Sequence, residues 1–170
     1  MKNHTTATDS DLSGHTDTLT RAKSLIQSAR FTDAINLLTT LASRTPVDAV
    51  TSEARYILAV AYRYEKDYPS ALHILDELVT NHPDMGRAYQ EQGYNYLALN
   101  RANDATKAFE LAVNYNPGLV ASWKALISFY DLSGHTNRAR LAQEQLTYLE
   151  SLPRDLVAVI DLIHEGRLYK

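Results

Sequence analysis

Apolar side chains recur along this chain at intervals of three and four residues, with charged and hydroxyl residues between them. Such spacing places the apolar side chains on one face of a helix, and no alternating pattern of useful length predicts a strand. Pro46, Pro83, Pro117 and Pro153 lie between the periodic segments, where helices are expected to stop. The pattern predicts helices over 17–29, 31–44, 48–66, 68–81, 85–99, 102–115, 119–133 and 136–151.

Four alanines mark an internal repeat, because Ala34, Ala71, Ala105 and Ala139 are separated by 37, 34 and 34 residues. Around each of them the same kinds of residue return at fixed offsets: a small or apolar residue twelve before, a large apolar or aromatic residue nine before, and in most units apolar residues four and seven after. The small residue and the alanine are expected to let two antiparallel helices approach closely. The third unit carries the pattern most completely, in Tyr89, Gly93, Tyr96, Ala105, Phe109, Ala112 and Pro117.

This pattern resembles the tetratricopeptide repeat (TPR), a helix–turn–helix unit of 34 residues. The resemblance implies an all-α fold, a right-handed superhelical solenoid of about four TPR units followed by a C-terminal capping or truncated helix. We expect a flexible tail over residues 1–14, because this segment is too polar to offset its ordering entropy. The array is expected over 15–151, in units 15–47, 48–84, 85–118 and 119–151, with the C-terminal helix in 152–170.

The C-terminal segment carries Leu156, Val159, Ile160 and Ile163 at helical spacing on one face. It is either a cap or the first half of a fifth repeat in a longer protein, and it is a candidate surface for self-association. The stretch 156–168 also resembles, over a short length, bacterial TPR proteins with a C-terminal sulfotransferase domain. That resemblance implies an alternative function, as the TPR region of a larger transferase that serves substrate presentation or self-association.

Composition and charge narrow the classes of function. The chain has 170 residues, a net charge of −3 and no cysteine, so disulfides, thiolate metal sites and cysteine nucleophiles are excluded. We expect no nucleic-acid partner, since a basic face is lacking. Scattered histidines, the lack of a glycine-rich phosphate loop and the lack of a catalytic triad predict no metal, no cofactor and no enzymatic activity. No apolar run or leader suggests a membrane or export, so a cytoplasmic location is expected.

In the TPR family the first helix of each repeat lines a concave groove, and the resemblance implies the same here. Helix phase leaves eight side chains as candidates for binding a partner there, and we expect them not to pack between repeats. The mixed charge of the groove, with Arg63, Arg87 and Lys124 against Glu53 and Glu91, favours a peptide or helix of another protein with acidic and aromatic or aliphatic groups. The eight candidates are Tyr56, Arg63, Tyr64, Arg87, Gln90, Tyr94, Lys124 and Ser128.

Overall fold

The computed structural model describes residues 9–44 and 48–164 of the chain. Within these ranges it contains nine α-helices and no β-strand. The eight helices expected from periodicity are confirmed, and apart from the start of the first their ends agree within two residues. The helices are α1 (Asp9–Gln27), α2 (Phe31–Ala42), α3 (Ala49–Tyr64), α4 (Tyr68–Asn81), α5 (Gly86–Ala98), α6 (Ala102–Tyr115), α7 (Val120–Leu132), α8 (Thr136–Ser151) and α9 (Arg154–His164).

Helix α1 begins earlier than predicted. Residues 9–14, expected in the flexible tail, belong to this helix, whereas residues 1–8 lie outside the described part of the chain. The hydroxyls of Thr18 and Thr20 donate to the carbonyls of Gly14 and Thr16 one turn earlier. Once a helix is nucleated, each further residue adds a backbone hydrogen bond at little entropic cost, and no proline stops the propagation here. Composition alone therefore misjudged the start of α1.

The turn inside each helical pair repeats with the interval of the alanines. Its residues with left-handed φ are Ala29, Lys66, Asn100 and Gly134, at 56°, 68°, 57° and 72°. The amide of the residue that follows each of them donates to the carbonyl five residues back, which is the Schellman arrangement that ends a helix. These bonds are Arg30 to Leu25, Asp67 to Tyr62, Arg101 to Tyr96 and His135 to Tyr130. The sequence repeat is therefore also a repeat of backbone conformation.

The prolines fall where helices end. Pro83, Pro117 and Pro153 follow the last residues of α4, α6 and α8 by two residues. Pro46 lies outside the described residues. The next helix, α3, begins with a capping box, in which Asp48 accepts from the Thr51 amide at 2.8 Å and the Thr51 hydroxyl accepts from the Asp48 amide at 2.7 Å. The bond from the Thr51 amide holds the pKa of the Asp48 carboxyl below its usual value.

Contacts divide the chain into two compact units, at Ile74 and Leu75 within α4. The first unit has its own apolar cluster, formed by side chains of α1, α2 and α3. The alanine anchor Ala34 of α2 and Ala22 of α1 are fully buried, as expected of residues at a close helix contact. The buried members of this cluster are Ala22, Leu38, Leu41, Ala42, Ala54, Ile57 and Leu58.

The second unit is built around Phe109 of α6, which is fully buried. Its ring lies edge-on to Tyr94 of α5 at 5.3 Å and stacks with Phe129 of α7 at 6.2 Å. A Cβ added at Gly93 would lie only 2.7 Å from the Phe109 ring, so the two helices approach as the small residue predicts. The cluster comprises Ala105, Phe109, Val113, Leu126, Tyr130, Ala139 and Ala142.

Helix α9 ends the described part of the second unit. The apolar face expected from helical spacing is present, and much of it is open to solvent: Leu156 is 44% exposed, Val159 39% and Ile163 40%. Ile160 and Val157 are half-buried. Residues 165–170, which complete the stretch that resembles TPR–sulfotransferase proteins, lie outside the described residues.

Candidate partner-binding surface

Three of the eight candidate residues form a patch at the C-terminal half of α3, in the first unit. We call Tyr56, Arg63 and Tyr64 the α3 patch. The Arg63 guanidinium lies 4.3 Å from the centre of the Tyr64 ring, and that ring also stacks on Phe31 of α2 at 5.1 Å. Tyr64 is nevertheless 46% exposed. The patch therefore presents a rigid aromatic ring beside a cation, both of which are common at interface hot spots.

The other five candidates lie on α5 and α7, in the second unit. We call Arg87, Gln90, Tyr94, Lys124 and Ser128 the α5–α7 patch. Arg87, Gln90 and Tyr94 are three and four residues apart, so they share one face of α5. The Gln90 carboxamide accepts a hydrogen bond of 2.8 Å from the buried Ser122 hydroxyl of α7, which links the two helices. Sequence alone did not reveal this bond.

Exposure differs strongly within the α5–α7 patch. Lys124 and Ser128 are exposed, whereas Arg87, Gln90 and Tyr94 are half-buried. The Lys124 ammonium forms an ion pair of 3.0 Å with Glu150 of α8, and the Ser128 hydroxyl donates to the Lys124 carbonyl of its own helix at 3.2 Å. An ion pair between two exposed side chains contributes about 0–1 kcal/mol, so a ligand carboxylate can replace Glu150 at little cost.

Two tyrosines depart from the expectation that the candidates do not pack between helices. Tyr56 packs against the apolar cluster of the first unit, and Tyr94 packs against that of the second. The expectation is therefore wrong for both residues. Helix phase gives the direction of the Cα–Cβ bond, but a tyrosine ring is long enough to reach the neighbouring helix from the edge of the exposed face. Loss of either ring is thus expected to lower stability as well as any binding.

The charge balance of the candidate surface also differs from the sequence-based view. Glu53 is half-buried and paired with Lys23 at 2.9 Å, and Glu91 is buried in α5. Neither carboxylate is therefore presented to solvent as an open negative charge. The accessible charge of the two patches is more basic than residue types alone indicated, which strengthens the preference for acidic groups on a ligand.

Buried polar side chains of α5 are a feature that sequence reasoning missed. Gln92 donates to the Asp76 carboxylate of α4 at 2.7 Å. Asn95 is fully buried; its Nδ2 donates to the Glu91 carbonyl at 2.8 Å, while its Oδ1 has no hydrogen-bond partner in the described structure. No sequence signal separates such residues from the exposed polar positions of an amphipathic helix, because burial depends on the neighbouring helices.

A shallow cavity of about 480 Å³ lies elsewhere in the second unit, beside Tyr130 of α7. The Tyr130 hydroxyl donates to the Glu110 carboxylate at 2.7 Å, and Arg138 donates to the same oxygen at 3.3 Å. Burial, together with the bond to Glu110, raises the pKa of Tyr130 to about 12. Because Arg138 already accompanies Glu110, the cavity does not offer an open anionic site. Its lining is formed by Glu110, Val113, Asn114, Pro117, Trp123, Leu126, Tyr130 and Gln145.

This raised pKa predicts a loss of stability in strong base. A tyrosine whose pKa rises from 10.0 to about 12 on folding favours the native state below pH 10, and this contribution is lost between pH 10 and 12. We expect the free energy of unfolding, measured by urea titration between about pH 9 and 11.5, to fall less steeply in Tyr130→Phe than in the wild type. Tyr148→Phe, which changes an exposed tyrosine, is the matched control. An unchanged slope in Tyr130→Phe would contradict the assignment.

Metal and membrane chemistry find no further footing in the parts of the chain that the structure covers. Over residues 9–44 and 48–164, no three histidine, aspartate or glutamate side chains are grouped as a metal ion would require. Over the same ranges, every helix is too short or too polar to cross a bilayer. The two patches remain the surface features with a chemical argument for binding.

The helical pairs and their turns point to one known repeat. Residues 19–86 match the tetratricopeptide repeat family model. This segment contains α2, α3 and α4 and most of α1, so the α3 patch lies within tetratricopeptide repeats. No curated protein sequence matches the chain.

Solved structures extend the likeness over most of the chain. The crystal structure of MamA has a TM-score of 0.68 and 20% identity, and the alignment covers 83% of this chain and 81% of that one. The MamA 41-end chain from Desulfovibrio magneticus RS-1 has a TM-score of 0.61 and 19% identity, over 83% of this chain and 76% of that one. The expected all-α, TPR-like solenoid fold is thereby confirmed. A sulfotransferase resemblance is not shown by these comparisons.

Proposed function

We propose that this protein is a non-enzymatic scaffold that binds an extended segment or a helix of another protein through the first helices of its repeats. The fold supports this role, since tetratricopeptide arrays present exposed helix faces and the described residues offer no catalytic constellation. The observation that carries the proposal is the α3 patch. There, an aromatic ring is held by Phe31 and Arg63 yet stays open to solvent within the matched repeats.

The chemistry of the two patches defines the partner. Tyr64 offers an aromatic face to an aromatic or aliphatic side chain of the ligand. Lys124, whose exposed pairing with Glu150 is weak, offers a cation to a carboxylate. Arg63 and Arg87 add guanidinium groups, which bind carboxylates through two parallel hydrogen bonds. The partner segment is therefore acidic, with one or two aromatic or aliphatic anchors. Binding of one segment by both patches in a single groove stays a prediction.

A peptide selection tests this proposal with the full chain. A random-peptide display library is selected on immobilised protein, and the affinity of enriched peptides is measured by isothermal titration calorimetry. We expect acidic peptides with aromatic or aliphatic anchors, whose binding weakens about tenfold or more in Tyr64→Ala, since truncating an anchor commonly costs more than 1 kcal/mol. Lys124→Ala is expected to weaken binding and to reduce its salt dependence.

Two exposed residues outside the patches provide matched controls. Tyr148→Ala on α8 removes an equally accessible ring, and Lys107→Ala on α6 removes an equally accessible cation. Both variants should bind the selected peptides as the wild type does. A library that yields no binding above background, or stronger effects in these controls than in the patch variants, would refute the proposal. Tyr56 and Tyr94 are unsuitable as probes because they also pack in the core.

Two finer expectations remain predictions. The alternative role as the TPR region of a larger transferase is tested by reading the gene beyond the codon for Lys170. A cytoplasmic location is tested by fractionating cells that express the protein. Neither result changes what the patches are proposed to bind.

A further inference from the structure

The open apolar face of α9 is the largest feature that partner binding does not use. Leu156, Val159 and Ile163 are each about two-fifths exposed and follow one another at intervals of three and four residues. They therefore form a continuous stripe along one side of the helix. Leaving such a stripe in water loses the free energy that burial of apolar surface would give. Something of matching length and charge is expected to cover it.

We propose that this stripe is covered by the same stripe of a second copy of the chain, with the two α9 helices antiparallel. When the pair is centred between residues 159 and 160, each Leu156 lies opposite the Ile163 of the second copy. The same register places Asp155, at the start of the helix, opposite His164 at the end of the other helix. By two-fold symmetry this acidic–basic contact occurs twice.

Charge selects this arrangement over the parallel one. A parallel pair would place Asp155 against the Asp155 of the second copy, and His164 against its His164, so both ends would repel when charged. Asp155 and His164 are both exposed. Nδ1 of His164 donates to the Ile160 carbonyl at 2.8 Å, so a protonated imidazole keeps Nε2–H for the Asp155 carboxylate of the second copy.

The interface is small, which sets the expected strength. Stable dimers usually bury about 800 Å² per partner, and a single helix of 11 residues buries less than that. We therefore expect a weak, concentration-dependent dimer, separate from the binding of a partner by the α3 and α5–α7 patches.

Sedimentation equilibrium of the full chain measures the self-association. The average mass should rise with concentration from 19.1 kDa towards twice that value. Leu156→Asp should keep the protein monomeric, because it places a charge in the stripe. Ala158→Asp, which introduces the same residue at an exposed position on the other side of α9, should leave the dimer intact. A wild type that stays monomeric, or equal effects of both substitutions, would overturn the proposal.

Single charge changes test the antiparallel register. In Asp155→Lys, the homodimer would place lysine against histidine, and in His164→Glu it would place aspartate against glutamate. Mixing the two variants allows one lysine–glutamate and one histidine–aspartate contact in the mixed dimer. At about pH 6, where an ordinary histidine is largely protonated, differently tagged variants should form mixed dimers above the proportion given by random mixing. Random proportions or an excess of homodimers would refute this register.

The outcome can be separated from that of the proposed function. Leu156→Asp should bind the selected acidic peptides as the wild type does, because α9 contributes no residue to either patch. Loss of dimers with retained peptide binding supports both proposals. If the peptide selection fails while the mixed dimers form, the scaffold proposal falls and the α9 pairing stands.

Discussion

Replacing Phe109 with alanine is expected to lower the free energy of unfolding by about 3–5 kcal/mol. The ring is fully buried, and it contacts Tyr94 of α5 and Phe129 of α7 as well as the cluster around it. Removing it leaves a cavity between three helices that cannot close without moving their backbones. The lost transfer free energy and the cavity both oppose folding, so the effect is expected to be the largest of any single change discussed for this protein.

Urea unfolding monitored by circular dichroism measures this loss. The matched control is Leu111→Ala, which removes a large apolar side chain from the same helix at an exposed position. We expect the control to change stability by no more than about 0.5 kcal/mol, as is usual for surface substitutions. Similar losses in both variants would mean that Phe109 is not the centre of the second unit.

Replacing Gly93 with alanine is expected to destabilise the protein by about 1–3 kcal/mol, although alanine favours helices. The new Cβ would lie 2.7 to 2.9 Å from three atoms of the Phe109 ring. Such distances are shorter than van der Waals contact, and the ring is packed on its other sides, so either the ring or α5 must shift. The steric cost therefore exceeds the gain in helix propensity.

A second glycine of the chain provides a control with the opposite sign. Gly14 lies within α1, and a Cβ added there meets no atom within 4 Å. Gly14→Ala should therefore stabilise the protein by about 0.5–1 kcal/mol through helix propensity alone. A double variant, Gly93→Ala with Phe109→Leu, should cost less than the sum of its single changes, because the smaller side chain relieves the contact. Additive effects, or stabilisation by Gly93→Ala, would contradict the close approach.

Much of the fold was predictable because its signals are local. Apolar spacing and the prolines gave eight helices with ends within two residues, except at the start of α1. The alanine interval predicted a repeated turn, which the structure displays as left-handed residues at Ala29, Lys66, Asn100 and Gly134. The close approach of α5 and α6 followed from the small residue at Gly93. Helix propagation into 9–14 was missed, since composition does not show whether a neighbouring helix will extend.

The candidate site was predictable only in part. Helix phase correctly placed Tyr64, Lys124 and Ser128 on exposed surfaces. It misjudged Tyr56 and Tyr94, whose rings reach the apolar clusters, and Glu91, which is buried. Each error arose from the same cause, because one helix considered alone does not show where the next helix lies.

The sequence by itself therefore determined the helices, their repeat interval and the small residues at which paired helices meet. These properties depend on backbone propensity and on side-chain spacing within a few turns. Tertiary structure alone decided which polar side chains are buried, which aromatic rings remain open and which charges are already paired. Those outcomes depend on atoms from other helices that come within a few ångströms, such as Ser122 beside Gln90 and Glu150 beside Lys124. No pattern within one helix encodes those distances.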